Sequence, residues 1–175
     1  GTVDCVLDND QCRMMNAELQ MQKSDIHHSS FITHHSPVHL GDRFALRSGL
    51  LELTYDTGAR VILQGPVSYD VESPAGGFLS VGRLTAKLEK KSEVGGRRSE
   101  SANQKFFVRT PTATVTDLGT EFGVEVDADG FTTSEVFVGE VTIATRNSHG
   151  TNEPPQIVRA GQVARVTNAN NVRLA

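Results

Sequence analysis

The sequence predicts an all-β fold: a double-sheet sandwich or jelly roll whose strands bend at glycines. Three observations carry this expectation. Short apolar runs alternate with polar positions at period two, the signature of half-buried strands. Turn chemistry separates the runs, as in Asp56-Thr57-Gly58, Gln64-Gly65-Pro66 and Asp127-Ala128-Asp129-Gly130. A glycine with apolar residues before it and an alternating run after it recurs in VILQGPVSYDV, FLSVGRLTAKL, VFVGEVTI and IVRAGQVARV, centred on Gly65, Gly82, Gly139 and Gly161. In strand-rich chains such a glycine marks a tight turn, a bulge or a corner where backbone passes close to backbone. The irregular spacing of the four disfavours a solenoid of fixed period and leaves a short β-helix as the alternative.

The densest part of the pattern is residues 108–126, VRTPTATVTDLGTEFGVEV. Phe122, Val124 and Val126 share one parity, Glu121, Gly123 and Glu125 the other, and Val115 falls on the parity opposite Phe122. A one-residue slip turns a strand's apolar set to the other face, so the chain must absorb an offset between Val115 and Phe122. Asp117-Leu118-Gly119-Thr120 is the natural place. An Asp carboxylate accepts from the backbone N–H two residues on, and Gly allows positive φ. The structural motif read from the sequence is therefore Gly65, Asp117, Gly119, Thr120, Phe122, Gly139 and Gly161.

In chain order, residues 3–7 read as a first strand, followed by the turn cluster Asp8-Asn9-Asp10. Residues 14–22 favour helix, but the run is short and poorly patterned, so a single turn or an irregular loop fits equally. Residues 44–47, 50–55, 60–63 and 67–71 read as successive strands, and Ser73-Pro74-Ala75-Gly76-Gly77 as a loop. Residues 78–88 are a strand pair or one bent strand, with Leu84, Ala86 and Leu88 alternating against Thr85 and Lys87. Residues 89–105, charged and nearly without apolar side chains, read as a solvated inserted connection. Phe106-Phe107-Val108 re-enters the core. After the hairpin-type turn at Asp127-Ala128-Asp129-Gly130, residues 132–145 return as strand. Residues 147–156, with Pro154-Pro155, form a loop, and residues 157–166 are the last strand.

With 175 residues and 37% apolar content, one well-cored domain over residues 1–175 is expected. A net charge of −4 and the lack of a basic stripe with interleaved aromatics argue against nucleic acid as a partner. No apolar run approaches the roughly 20 residues of a membrane-spanning helix. A first residue Gly1 in place of Met reads as a processed fragment of a longer chain, with leader, anchor or partner domains outside it. Cys5 and Cys12 are too few for a disulfide scaffold or an unaided zinc site, and their spacing allows either a local disulfide or two unpaired side chains.

Residues 24–39 hold His27, His28, His34, His35 and His39. Clustered imidazoles can take Zn, Cu or Ni. This segment is Ser-rich, lacks nearby paired carboxylates to orient the rings and reads as an inserted surface loop, so no metal is expected there. No serine sits in a G-x-S-x-G elbow, and no glycine-rich loop opens a helix to cradle phosphate. Glu121, Glu125, Asp127 and Asp129 would serve as acid and base only across a cleft, whereas alternation places Glu121 and Glu125 on a solvent face. Metal-dependent jelly-roll chemistry would need histidines on core strands. Neither catalysis nor a cofactor is expected.

Five separated motifs in fixed order resemble the FecR protein domain, in particular the versions found in planctomycete-type bacteria. They are Tyr55-Asp56-Thr57-Gly58-Ala59-Arg60-Val61-Ile62-Leu63-Gln64-Gly65-Pro66, Phe107-Val108-Arg109-Thr110-Pro111, Val115-Thr116-Asp117-Leu118-Gly119-Thr120-Glu121-Phe122-Gly123-Val124, Val138-Gly139-Glu140-Val141 and Ala160-Gly161-Gln162. The resemblance covers most of the chain from about Leu40 onward. It implies an extracytoplasmic, periplasmic all-β domain, anchored to the cytoplasmic membrane through a helix outside this chain. It also implies a protein partner, such as the signalling domain of a TonB-dependent transporter, and regulation of a sigma factor held by a further segment, as an anti-sigma factor does. In planctomycete-like architectures the domain often stands beside a lectin-like sandwich, which implies recognition of carbohydrate or another envelope polymer as the alternative role.

Overall fold

The computed structural model describes residues 2–6, 12–14, 34–88, 105–145, 154–168 and 171–175. They form strands and turns throughout: β1 (Thr2–Val6), β2 (Cys12–Met14), β3 (His34–Pro37), β4 (Arg43–Leu46), β5 (Leu50–Thr54), β6 (Ala59–Ser73), β7 (Gly76–Leu88), β8 (Phe107–Arg109), β9 (Ala113–Asp117), β10 (Glu121–Val126), β11 (Thr132–Val138), β12 (Glu140–Thr145), β13 (Gln156–Arg159), β14 (Val163–Asn168) and β15 (Asn171–Leu174). The all-β expectation holds. One hydrogen-bonded network joins all fifteen strands. Every ladder among the described residues is antiparallel except β7 with β8, a pattern unlike the parallel coils of a β-helix.

The long hairpin β6–β7 organises the molecule because it serves two layers. Its distal part pairs Ala59 with Leu88 through Gln64 with Arg83 and carries the first layer, in the order β3-β1-β5-β6-β7-β10-β11-β14-β15. Its part nearest the Pro74-Ala75 turn pairs Ser68 with Val81 through Ser73 with Gly76. That part carries the second layer, β2-β4-β6-β7-β8-β9-β12-β13. Strands shared between two packed layers through bends are a known way to turn a sandwich corner. The buried residues of both layers form one cluster, with Leu51, Leu53, Leu63, Leu84, Phe122 and Val124 from the first and Phe44, Tyr69, Leu79, Val115 and Ile143 from the second.

The bend itself requires glycine. The β6–β7 ladder breaks between Gln64 and Ser68, and opposite that break Gly82 adopts φ +100°. A Cβ there would stand 2.3 Å from the Pro66 carbonyl oxygen, and one on Gly65 2.6 Å from Ser48 Cα. Backbone cannot yield as a flexible side chain would, so both positions exclude any larger residue. At the same end of the molecule, the hydroxyls of Thr110 and Thr112 each lie 2.7 Å from that of Thr132, tying the β8–β9 turn to the start of β11.

Several boundaries differ from the sequence reading. Gln64-Gly65-Pro66 does not end a strand: β6 runs through it, and Pro66, preceded by a cis peptide bond, sits where the β7 ladder is already interrupted, so its missing N–H costs nothing there. The expected loop at residues 73–77 is only a tight turn at Pro74-Ala75, with Gly76 and Gly77 in β7. Residues 132–145 and 157–166 each split into two strands that pair in different layers, at Gly139 and Gly161. His34–Pro37, expected in a loop, forms β3 against β1, and Cys12–Met14 forms β2 against β4. These short edge strands draw on backbone pairing, which side-chain alternation does not report. β15 was likewise unannounced. Residues 15–33, 89–104 and 146–153 lie outside the described residues.

Candidate functional site

Three crossings between the layers meet at the end of the sandwich opposite the β6–β7 bend. In β9, Ala113, Val115 and Asp117 all point inward, so alternation drives the Asp117 carboxylate into the core margin, where the residue is 1% exposed. One carboxylate oxygen, Oδ1, gathers three donors: the N–H of Gly119 at 2.7 Å, the N–H of Thr120 at 2.7 Å and the Thr120 hydroxyl. The other, Oδ2, has no protein partner. Burial raises the Asp117 pKa above the usual carboxylate value, opposed by hydrogen bonds from Thr120, Gly119 and Leu118. Gly119, at φ +95°, turns the chain out of β9. The Thr120 carbonyl accepts from Leu88 N–H at 3.2 Å, and Phe122, Val124 and Val126 then enter the core from β10. The parity offset is absorbed within these residues.

Gly139 makes the crossing from β11 to β12 at φ +79°, where an added Cβ would lie 2.7 Å from Thr120 Cγ2. Gly161, at φ +81°, follows β13 and opens the return toward β14; its N–H donates to the Val136 carbonyl at 2.8 Å, and Ala160 N–H donates to the Gly139 carbonyl at 2.9 Å. Asp117, Gly119, Thr120, Gly139 and Gly161 thus come together as one stacked corner. Gly65 stands apart at the bend, and Phe122 lies in the core beside the corner. Chemically this corner is a hydrogen-bonded clamp that fixes three chain reversals.

A second buried polar contact closes the same end. Tyr55 follows β5, and its hydroxyl lies 2.7 Å from that of Tyr69 in β6. Its ring packs edge-on against Phe106 at 5.1 Å between centroids. Burial pushes the Tyr55 hydroxyl up to about 12, with the Tyr69 hydrogen bond working the other way, and burial with the neighbouring Tyr55 raises Tyr69 well above the ordinary value. Beside Tyr55 is an open hollow of about 250 Å³ lined by Val38, Leu40, Leu53 and Val71 among others. That is below the roughly 300–1,000 Å³ of sites that enclose small organic ligands.

The remaining candidates are dispersed. Glu121 faces Lys87 at 3.6 Å, Glu125 faces Arg83 at 2.8 Å, and Asp127 faces Arg165 at 3.6 Å, a ladder of cross-strand ion pairs on the outer face of the first layer. Asp127 Oδ1 also accepts from Asp129 N–H and Phe131 N–H, which builds the β10–β11 turn. Glu121, Glu125 and Asp127 are thus each engaged by a basic side chain. His39 is exposed beside Asp42, and its backbone N–H donates to that carboxylate at 2.7 Å. His34 and His35 lie on β3, and His27 and His28 are outside the described residues. No group of three or more His, Cys, Asp or Glu side chains able to hold a metal occurs among the described residues. Sequence reasoning missed the tyrosine pair and the part played by Gln162, whose side chain closes a strand edge. Only the tyrosines' inward parity could have signalled the first.

No protein-family model matches the chain, and no curated protein matches it either. Solved structures do. Two crystal structures of a protein from Parabacteroides distasonis, described as a candidate anti-sigma factor, share this fold. The first aligns over 76% of this chain and 58% of its own, at 19% identity and a TM-score of 0.55. The second aligns over 75% and 57%, at 20% identity and a TM-score of 0.52. The chain therefore spans somewhat over half the length of these neighbours, and the likeness is one of fold.

Proposed function

We propose that this domain is a non-catalytic, protein-binding module of a sigma-factor regulator of the FecR type, working outside the cytoplasm and held to the cytoplasmic membrane by a segment elsewhere in the protein. The observation that carries the reading is the shared fold with the two P. distasonis chains described as a candidate anti-sigma factor. The ordered FecR-like motifs support it from the sequence side. The three crossing glycines and Asp117 belong to those motifs, and they fall at the clamped corner that fixes the strand order.

The physical role suits such a body. Layers joined at both ends present fixed faces and edges, so a partner meets a pre-organised surface and little ordering entropy opposes binding. The partner in this reading is the signalling domain of an envelope transporter, and the sigma factor is bound by a further segment. Affinity capture from an envelope extract tests it, with the full-length protein as bait and a promoter reporter for the cognate sigma factor. Recovery of a transporter signalling domain, with reporter output that changes on deleting residues 38–175, is the expected result. Binding on a glycan array with no protein partner and an unchanged reporter overturns it in favour of envelope-polymer recognition.

A further inference from the structure

The β13 and β15 edges flank the β13–β14 crossing, and the chain treats them differently. Ala160 N–H donates to the Gly139 carbonyl, so alternation along the β12–β13 ladder turns the N–H and C=O of Ile157 and Arg159 outward. Arg159 is closed off: its N–H donates to Gln162 Oε1 at 2.8 Å, and its carbonyl accepts from Gln162 N–H at 2.9 Å. With Pro154-Pro155 just before it, β13 offers little to a new strand. Such blunting is how sheet proteins keep an edge from pairing.

β15 has no such clamp among the described residues. Val163 and Ala175 exchange hydrogen bonds in both directions, at 3.1 and 2.8 Å, which makes them a hydrogen-bonded pair. Alternation then directs the N–H and C=O of Val172 and Leu174 away from β14, where no partner occurs among the described residues. The side chains match this open edge. Val172 and Leu174 lie opposite Val166 and Ala164, both buried, so they face the core side; Val172 packs against it, but Leu174 remains 48% exposed. On the outer side Arg173 lies directly opposite Arg165. Arg165 has Asp127 at 3.6 Å, while Arg173 has no ion-pair partner among the described residues. Two like charges directly opposite each other destabilise a sheet unless an acid joins them.

We infer that β15 is the docking edge of this domain, and that its occupant is an extended protein segment alternating apolar and acidic residues. The backbone of that segment pairs with Val172 and Leu174, its apolar side chains cover Leu174 on the core side, and its carboxylates meet Arg173 on the outer side. The inference deepens the protein-binding reading above and rests on it only in taking the partner to be a protein.

The test uses a synthetic hexapeptide alternating glutamate and valine, with a lysine–valine peptide as control, titrated into the 175-residue domain and followed by backbone amide NMR. Expected are shifts centred on residues 171–175 with the glutamate peptide only, affinity lowered about tenfold or more by Arg173→Glu, and binding abolished by Leu174→Pro, which removes an outward N–H and no ladder bond. Should Leu174→Pro lower the melting temperature, Arg173→Glu carries the test, because it alters only the outer face. Equal binding of the two peptides overturns the inference, as do shifts elsewhere, no binding, or concentration-dependent pairing of two copies through β15. Failure here leaves the reporter experiment intact, since a transporter domain recovered there would then engage another face.

Discussion

The hydroxyls of Tyr55 and Tyr69 meet at 2.7 Å across the core, one just after β5 in the first layer and the other in the second-layer part of β6. Among the described residues neither hydroxyl has another hydrogen-bond partner, so each satisfies the other. Tyr55→Phe strands the Tyr69 hydroxyl and should cost about 1–3 kcal/mol, whereas the double change to Phe removes both polar groups together and should recover most of that loss. A urea-denaturation double-mutant cycle reads the coupling. Additive losses would mean that the two hydroxyls do not depend on each other.

The same pair makes the fold sensitive to alkali. An acid whose pKa is raised in the native state keeps its proton there longer than in the unfolded chain, so its contribution is complete below the unfolded value of 10.0 and is lost as pH rises through the folded value, about 12 for Tyr55. Denaturation midpoints between pH 9 and 11.5 should fall for the native sequence and fall less for the double Phe variant. Parallel curves would refute this.

Asp117 obeys the same sign at the acid end. Its pKa is raised from 3.8 by burial, so the native protein should lose stability relative to Asp117→Asn as pH climbs from about 4 through the raised value, after which the gap levels off. Asn keeps an acceptor for Gly119 and Thr120. Asp117→Ala keeps none and should cost on the order of 3 kcal/mol at low pH, a difference from the native protein that narrows over the same pH range as the carboxyl ionises. A gap between the native and Asn proteins that widens in favour of the carboxylate with rising pH would contradict the burial argument.

Gly139 and Gly161 share a positive φ but differ in surroundings. Gly161→Ala meets nothing within 4 Å and should lose only the backbone term, about 1–2 kcal/mol. Gly139→Ala adds a clash with Thr120 Cγ2 and should lose more, and Thr120→Ser, which deletes that methyl and keeps the hydroxyl on Asp117, should restore part of it. Equal losses at the two glycines, with no rescue by Ser, would show that the corner is not packed this way.

The outer ladder contributes little. Arg83 with Glu125 and Lys87 with Glu121 are about half exposed, so Glu121→Gln and Glu125→Gln should each change stability by less than about 1 kcal/mol, an effect that shrinks further in high salt. Thermal unfolding at low and high salt measures it; a loss above about 2 kcal/mol from either change would require a role beyond solvation of the face.

The all-β class, the inward set around Phe122 and the offset at Asp117 and Gly119 were legible because they are local. Alternation of side chains, the Asp-to-backbone bond two residues on and positive φ at Gly are written into a few consecutive positions. What the glycines accomplish was not legible. Gly65 and Gly82 bend strands that continue, while Gly139 and Gly161 end strands and send the chain to the opposite layer, and the local pattern is the same in all four. Only contact with Ser48, Pro66 or Thr120, residues distant in sequence, tells them apart. The pairing of Tyr55 with Tyr69, the closed edge at Gln162 and the open one at β15 were also decided by tertiary structure. Each depends on which strand lies alongside, and backbone hydrogen bonding between strands leaves no trace in the order of side chains.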